Sequence, residues 1–256
     1  MISIKNRDDI ASLRKAGRIV VDVLNLVGDT IRPGIDTLTL DRKAEALIEA
    51  SGAHPAFKGY TVPGIPRPFP GTLCVSVNSE VVHGIPSSDR ILEEGDIASI
   101  DVGVRIDGFY GDAAYTFPVG KVSSGRSELL RITRECLERA VATAREGATL
   151  GDIGYAVESW AAPRGYGIVR NYAGHGIGRH LHEPPQIPNY GSPGKGITLK
   201  KGMALAIEPM IMSGKEPVRT LEDKWTVVTA DGSDSAHFEK TIVVTGGDPE
   251  VITPWE

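Results

Sequence analysis

An internal repeat constrains the fold of this 256-residue chain more than any other feature of its sequence. The segment LEEGDIASID at 92–101 matches LKKGMALAIE at 199–208, because Leu, Gly and Ile coincide and each segment ends in a carboxylate. Such a repeat predicts a single domain, residues 1–256, made of two similar α+β halves at about 1–122 and 123–256. A pseudo-twofold axis would relate the halves and leave a cleft between them. Chance similarity between two amphipathic strands that each follow a turn is the alternative.

Hydrophobic periodicity predicts helices first and strands afterwards in both halves. The predicted helices run over about 7–27, from Asp36 or Thr37 to 51–52, over about 127–145, and from near Thr149 to just before Gly165. The predicted strands cover 73–77, 97–105, 109–119, 168–172, 203–212, 225–229 and 238–244. Asp107-Gly108 is a strong hairpin signal between two of these strands, and the run PGIPRPFPG at 63–71 indicates a loop.

Composition and charge narrow the classes of protein that remain. Hydrophobic residues make up 41% of the chain and charged residues 24%, which is typical of a globular protein with a substantial core. A net charge of −5, with no Lys/Arg run longer than two, gives no electrostatic footprint for nucleic acid. The two cysteines, Cys74 and Cys136, are typical of a reducing cytosol. Because no apolar stretch approaches the roughly 20 residues that cross a bilayer, and the charged start resembles no secretory signal, we expect a cytoplasmic protein without a membrane partner.

Two carboxylates flank the predicted hairpin. Asp101 ends an apolar run, and Asp112 follows after the Asp107-Gly108 turn. A two-residue loop would place Asp112 opposite Gly103, so that Asp101 is its diagonal neighbour on the same face of the sheet. Carboxylates this close repel each other unless a cation lies between them or one is protonated. Two solvent-exposed hairpin acids are the alternative.

The second half supplies further polar groups of the same kind. Glu208 follows the apolar run ALAI at 204–207, and Glu239 lies in the strand-like run AHFEKTIVV at 236–244, where a charge needs a partner or a metal. Three histidines fall within eight residues, beside glycines that allow close backbone approach, and a fourth lies in HGIP: His175, His180, His182 and His83. Structural or merely exposed histidines are the alternative. The zinc motif HExxH is absent, because Gln186 occupies its final position.

Four carboxylates with one or two imidazoles form an oxygen-rich set of ligands without thiolates. Such a set is suited to Mn, Fe, Co or Zn in a dinuclear arrangement. A pair of these ions would activate a water and polarise a carbonyl, which is what amide hydrolysis requires. The remaining histidines could bind the substrate carbonyl or transfer protons.

The residues that carry this chemistry lie in eight short segments spread over nearly the whole chain. They are CVSVN at 74–78, HGIP at 83–86, ID at 100–101, DGFYGD at 107–112, GHGIG at 174–178, HEPP at 182–185, IEPM at 207–210 and FEKT at 238–241. Their order resembles that of the type I methionine aminopeptidases, metallopeptidases of family M24. Glu239 follows Glu208 by only 31 positions, which leaves no room for the insertion of type II relatives. The resemblance implies the pita-bread fold, an α+β fold whose two pseudo-symmetric halves form an antiparallel sheet backed by helices.

The resemblance also implies a role for each polar residue of the site. The implied metal ligands are Asp101, Asp112, His175, Glu208 and Glu239. Asp112 and Glu239 would bridge two divalent ions, Asp101 would complete the shell of one ion, and His175 with Glu208 that of the other. Glu208 would also transfer the proton of the bridging water as general base and acid. Two histidines would act on the substrate, His83 at the scissile peptide and its tetrahedral intermediate, and His182 near the carbonyl oxygen.

The implied substrate is a polypeptide with an N-terminal methionine. Its side chain would occupy a small apolar pocket lined by Phe69, Cys74 and Trp225, for which ordinary core or loop packing of the aromatics is the alternative. Pro66 and Leu181 depart from the family pattern, which often has aromatics there, so the outer shape of the pocket is expected to differ.

The implied reaction is removal of the initiator methionine from nascent chains that carry a small second residue. The family precedent is a monomer, and the substrate would place it near the ribosomal exit, although no basic patch in the sequence supports docking there. Two other functions share the fold. A broader aminopeptidase, including one that cleaves Xaa-Pro, would differ in the pocket, and a non-catalytic binding module would lack ligands that are all present here.

Overall fold

The structure, a computed structural model, describes residues 2–255. Its α-helices form two consecutive pairs: α1 (Arg7–Thr30), α2 (Thr37–Ala50), α3 (Ser124–Thr143) and α4 (Leu150–Ala161), with a 3-10 turn at Ala162–Arg164 after the last. Each α-helix begins after a side chain that accepts hydrogen bonds from its first free amides, namely Asn6, Asp36, Ser123 and Thr149. The predicted helices are thereby confirmed, but α3 begins earlier than residue 127 because Ser123 provides the cap.

Most of the strands are short, apart from β4 and β5 with ten residues each, and the pairings within residues 2–255 are antiparallel. They are β1 (His54–Pro55), β2 (Leu73–Val77), β3 (Glu80–Val82), β4 (Ile97–Ile106), β5 (Phe109–Pro118), β6 (Gly167–Ile168), β7 (Gly174–Gly176), β8 (Glu183–Ile187), β9 (Ala204–Ile207), β10 (Met210–Met212), β11 (Val218–Thr220), β12 (Val227–Thr229), β13 (Ser235–His237), β14 (Lys240–Val243) and β15 (Glu250–Val251). This mixture of helices and antiparallel sheet confirms the α+β class.

The strands form four sheets, of which two are larger. In the first, β4 pairs with β1, β2 and β5. The second has the order β15-β14-β9-β7-β8. Two three-stranded sheets, β13-β10-β6 and β11-β12-β3, complete the β structure of the described part of the chain.

The β4–β5 hairpin has the predicted register. Ile106 pairs with Phe109 across the Asp107-Gly108 turn. Both turn residues have positive φ, +51° and +79°, as the two-residue turn of a tight hairpin requires. Gly103 therefore lies opposite Asp112.

Four predicted strands differ clearly from the observed ones. The prediction for 225–229 began two residues early, since β12 begins at Val227. The run 203–212 is two strands, β9 and β10, because Pro209 has no amide hydrogen to donate to a ladder. The run 238–244 likewise begins only at Lys240, because the chain passes from β13 to β14 through Phe238 and Glu239. The prediction for 168–172 was too long, since β6 ends at Ile168.

One apolar core joins the helices to the sheets. It contains fully buried side chains from all four α-helices, for example Val20, Leu40, Leu129 and Val157. Burial of a side chain of this kind stabilises the fold by roughly 1.5–3 kcal/mol. None of the helices in residues 2–255 is long and apolar enough to cross a membrane.

Candidate active site

The carboxylates of the first half project from neighbouring strands of the hairpin. Asp101 lies on β4 opposite Ala114, and Asp112 lies on β5 opposite Gly103. The two side chains are therefore diagonal neighbours on one face, as the period of two along a strand requires. Asp112 is only 3% exposed, which contradicts the alternative of two solvent-exposed hairpin acids.

Glu239 reaches the same place from the far end of the chain. Its backbone N–H donates to the Ala114 carbonyl of β5, at 2.9 Å, and its own carbonyl accepts from the Trp255 indole N–H at 2.7 Å. Two residues later, the Thr241 hydroxyl donates to the Asp112 carbonyl at 2.7 Å. These bonds hold the segment between β13 and β14 against the β4–β5 hairpin. The Glu239 side chain, which is 2% exposed, therefore lies beside Asp112.

Glu208 occupies the break between β9 and β10. Ile207, the last residue of β9, pairs with Lys240, the first residue of β14, which brings Glu208 to the level of Glu239. The Glu208 carbonyl, free of a sheet partner here, accepts from the Asn189 side-chain amide at 3.0 Å. Strand β9 thus ends just before Glu208 and Pro209, and the break places a carboxylate inside an apolar stretch.

His175 lies at the centre of β7 between two glycines that the packing requires. A Cβ at Gly174 would come within 2.4 Å of the Ala206 carbonyl oxygen, and one at Gly176 within 2.3 Å of the Pro184 carbonyl oxygen. The His175 Nδ1 lies 2.9 Å from the Gly176 carbonyl, which fixes the proton on that nitrogen and leaves Nε2 as an electron-pair donor.

The Nε2 atom of His175 faces the carboxylates. It lies 3.8 Å from Asp112 Oδ2 and 3.6 Å from Glu208 Oε1. Burial, with a smaller contribution from His182, lowers the pKa of His175 to about 3, so the ring is neutral near neutral pH. A neutral imidazole is the form that binds a metal ion.

The acidic side chains of the site are buried close together, and a bound cation would stabilise their ionised form. Burial raises the pKa of Asp101 to about 7. Burial first, and neighbouring carboxylates second, also raise the pKa values of Asp112, Glu208 and Glu239. One oxygen on each of three of these groups is buried without a hydrogen-bond partner: Asp101 Oδ1, Asp112 Oδ1 and Glu239 Oε1.

These orphaned oxygens fit a divalent metal. Ligand atoms of Asp112, His175 and Glu239 lie within 4.8 Å of one another, and all three residues are buried. Buried polar atoms without partners are costly, and coordination would satisfy them. Carboxylate oxygens with one imidazole nitrogen are suited to first-row divalent ions.

A cavity of about 750 Å³ opens over this cluster. Every residue that the sequence predicts for the site lines it: Phe69, Cys74, His83, Asp101, Asp112, His175, His182, Glu208, Trp225 and Glu239. The structure thus brings all ten predicted residues together, while their individual roles stay predictions. His180, by contrast, is exposed and does not line the cavity.

One wall of the cavity is apolar. Phe69 and Trp225 meet edge to face with ring centroids 5.3 Å apart, and they pack with Cys74, Phe57 and Leu181. The Trp225 indole N–H donates to the Arg67 carbonyl at 3.0 Å, which ties the tryptophan to the Pro- and Gly-rich loop. The wall thus forms an apolar pocket next to the carboxylates.

The two histidines predicted to act on a substrate lie at the edge of this pocket. His83 packs edge to face against Trp225 and Tyr172, with ring centroids 6.3 Å and 5.6 Å away. Its backbone has φ +60°, an unusual value for a residue other than glycine, and the next residue, Gly84, leaves no space for a Cβ against the Val75 carbonyl. Burial lowers the pKa of His83 to about 4, so its ring is neutral near neutral pH.

His182 is oriented by a residue that the sequence did not reveal. The Tyr60 hydroxyl lies 2.7 Å from His182 Nδ1. If the hydroxyl donates, the ring proton is on Nε2, and that nitrogen is the one left to donate to a ligand. The His182 ring also lies 4.4 Å, centroid to centroid, from the ring of His175.

Among the cavity residues that sequence reasoning missed, four carry rings: Phe57, Tyr60, Tyr172 and His237. Pro66, where family members often have an aromatic residue, is exposed. Phe57 and Tyr60 supply aromatic rings near the pocket instead. No local pattern marks Phe57 or Tyr172. The run SAHFE at 235–239 did hold a signal, because a histidine two positions from a carboxylate is expected to point to the same side wherever the chain is extended.

Comparison with known proteins agrees with this geometry. The model of metallopeptidase family M24 matches residues 11–246. A methionine aminopeptidase of Clostridium acetobutylicum is 46% identical over 253 residues, 99% of each chain. The crystal structure of methionine aminopeptidase from Thermotoga maritima, 44% identical, matches over 100% of both chains with a TM-score of 0.95. The prolidase of Pyrococcus horikoshii, 25% identical, matches with a TM-score of 0.78 over 99% of this chain and 64% of its own.

The matches cover the whole of the site, from Phe57 to Glu239, and not merely part of the fold. The fold shared with these structures is the pita-bread fold that the sequence resemblance implied. A metallopeptidase family also agrees with the cluster of Asp112, His175 and Glu239, whose ligand atoms fit a divalent ion. The family model, the full-length relatives and the shared fold all agree, and they show that the chain belongs to metallopeptidase family M24.

Proposed function

We propose that this chain is a methionine aminopeptidase, a metal-dependent hydrolase that removes the N-terminal methionine from polypeptides with a small second residue. The observation that carries the proposal is the placement of the Asp112–His175–Glu239 cluster at the base of an apolar pocket. Relatives that are 46% identical over 99% of this chain are methionine aminopeptidases. An apolar pocket beside a hydrolytic centre is suited to an apolar side chain at the N-terminus.

Asp101, Asp112, His175, Glu208 and Glu239 would hold the metal. A bound divalent ion supplies a water of lowered pKa and polarises the substrate carbonyl. Glu208 is the carboxylate of this set that is both near His175, at 3.6 Å, and partly accessible from the cavity, with 14% of its side chain exposed. It would take the proton of the attacking water and give it to the amine that leaves.

The histidines and the pocket would position the substrate. With Nδ1 occupied by Tyr60, His182 would donate its Nε2–H to the carbonyl oxygen of the scissile peptide. His83 would contact the peptide group and stabilise the tetrahedral intermediate. Phe69, Cys74 and Trp225 would enclose the methionine side chain.

The substitution His182→Ala separates substrate binding from metal binding. We expect kcat/KM for methionine release to fall by roughly 10²-fold, in the range for loss of one donor to a developing oxyanion. Metal content, measured by elemental analysis, should stay that of the wild type, because His182 is assigned to the substrate. His180→Ala is the matched control, since His180 is exposed and outside the cavity. Loss of metal together with activity would instead make His182 a ligand.

A peptide panel tests the function itself. The metal-loaded chain should release methionine from Met-Ala-Ser, slow down when the second residue is large, as in Met-Leu-Ser, and stop in the presence of chelator. Preferential cleavage of Xaa-Pro peptides would favour a prolidase-like enzyme instead. Absence of methionine release with Co, Mn, Fe and Zn alike would contradict the proposal and favour a binding module.

Several finer points belong to the same proposal. We infer two divalent ions per chain, of Co, Mn, Fe or Zn, which Asp112 and Glu239 would help to hold. The free cysteines Cys74 and Cys136 support a cytoplasmic location. There the chain would act as a monomer on nascent N-termini at the ribosome, without direct contact to nucleic acid.

We also propose one catalytic domain built from two related halves, 1–122 and 123–256. In the first half the helices α1 and α2 precede a sheet, and in the second half the helices α3 and α4 precede another.

A further inference from the structure

His237 is a buried histidine of the cavity to which the mechanism above gives no task. It ends β13 and pairs with Met210 of β10. The Thr116 hydroxyl clamps its backbone on both sides, accepting from the His237 N–H at 2.9 Å and donating to the His237 carbonyl at 2.7 Å. The backbone that carries this ring is therefore fixed relative to β5.

The ring itself presents an unused polar atom to the site. His237 is 2% exposed, and its Nε2 is buried without a hydrogen-bond partner. This Nε2 atom lies 3.7 Å from the carboxylate oxygen Oε2 of Glu208. The other oxygen of the same carboxylate, Oε1, lies 3.6 Å from His175 Nε2. Glu208 thus lies between two imidazoles, one for each of its oxygens.

The two imidazoles are not equivalent. The Nδ1 of His175 is bonded to the Gly176 carbonyl, so its Nε2 carries an electron pair toward the ligand cluster. His237 lies outside the group of ligand atoms that converge within 4.8 Å. In the tautomer with hydrogen on Nε2, His237 offers Glu208 a donor from the opposite side. A shift of less than about 1 Å would close the gap to a hydrogen bond, and such bonds commonly tighten in complexes with substrate.

We propose that His237 is a positioning residue for Glu208. Its Nε2–H holds Oε2 and thereby directs Oε1 toward the ligand cluster and the attacking water. The inference rests on the proposed function, because it gives a task to the proton transfer assigned to Glu208. A donor fixed by a clamped backbone orients a carboxylate without the cost of reorganisation at the moment of reaction.

Three substitutions test this inference in the full-length, metal-loaded chain. His237→Gln keeps an amide N–H at about the reach of Nε2, His237→Asn places it nearer to the position of Nδ1, and His237→Leu removes it. We expect kcat for Met-Ala-Ser to fall about 10- to 100-fold in His237→Leu and His237→Asn, with KM within about twofold of the wild type. His237→Gln should recover most of the wild-type kcat.

Stability and metal content exclude a merely structural role. His237→Leu replaces a buried atom without a partner by an apolar group, so its unfolding temperature should be equal to or above that of the wild type. Metal content should be unchanged in all three variants. If His237→Leu does not fold, the contrast between Gln and Asn still tests the inference.

Each other outcome overturns it. Wild-type kcat in His237→Leu means that Glu208 needs no help from His237. A raised KM at constant kcat makes His237 a contact of the substrate, and loss of metal makes it a ligand. Equal kcat in the Gln and Asn variants shows that the position of the donor is irrelevant. A wild-type chain that releases no methionine contradicts the proposed function, whereas an active wild type with an equally active His237→Leu contradicts this inference alone.

Discussion

The substitution Glu208→Gln is expected to lower kcat for release of methionine from Met-Ala-Ser by roughly 10²- to 10⁴-fold, the range for loss of a general acid–base. The amide that replaces the carboxylate cannot accept the proton of the attacking water. It is also a weaker ligand, so the change removes two functions at once. Stopped-time assays of released methionine, at saturating peptide and metal, measure the effect directly.

The size of this effect follows from the position of Glu208. Its carboxylate lies 3.6 Å from His175 Nε2, on the side of the other proposed metal ligands, and the strands before and after it, β9 and β10, consist of buried apolar residues. Solvent can replace an exposed base, but it cannot replace one held inside such a pocket. Glu222→Gln is the matched control, because Glu222 is exposed and does not line the cavity. Wild-type activity in Glu208→Gln would show that the proton is transferred elsewhere.

The stability gained from metal binding should rise with pH, which is the second large effect. Burial holds the pKa of Asp101 at about 7 and raises those of Asp112, Glu208 and Glu239 in the metal-free fold. An acid with a raised folded pKa contributes stability that is present below its unfolded pKa, near 4, and is lost as pH rises through the folded pKa. The metal-free protein should therefore lose stability as pH rises from about 4 through about 7, the folded pKa of Asp101.

The histidines oppose this loss only below about pH 6.5, so the change from there through about pH 7 belongs to the carboxylates. Lowered folded pKa values, about 4 for His83 and about 3 for His175, cost stability only as pH falls below their unfolded value near 6.5. A metal ion displaces the protons of the buried acids, so its affinity should rise by up to about tenfold per pH unit for each proton displaced. Thermal unfolding with excess Mn²⁺ and with chelator, at both ends of the window, measures the change.

The expected result is a gap in Tm between loaded and chelated protein that widens toward high pH. Asp112→Asn is the control, since it removes one of the protons in question and part of the site. A gap that is constant with pH would mean that the carboxylates are already ionised without metal. No gap at all would mean that these residues bind no ion.

The part of the site on the β4–β5 hairpin could be predicted from the turn type and the alternation of side chains along a strand. The Asp107-Gly108 turn fixes the register, and the register places Asp101 and Asp112 on one face, so the sequence alone was sufficient. The break in the strand at Glu208 was harder to predict, because the apolar run ALAIEPMIM is typical of one continuous strand. Only Pro209 indicates the break, since it has no backbone N–H to donate to a neighbouring strand.

The other half depends on contacts between distant parts of the chain. Glu239 meets Asp112 through the bond from its own N–H to the Ala114 carbonyl, which no local pattern indicates. Tyr60 orients His182 across a similar separation. The sequence pattern picked out Glu239 and His182 as candidates, but only the resemblance to a known family implied their roles. It did not supply His237, whose task follows only from its distance to Glu208.

The most direct test of the account is the number of divalent ions bound per chain, measured by calorimetric titration of metal-free protein and followed by the methionine-release assay at each added equivalent. The account predicts two ions per wild-type chain, activity that appears with the added metal, and weakened binding in Asp112→Asn and Glu239→Gln but not in Glu222→Gln. Full release of methionine by a chain that binds no ion would contradict it.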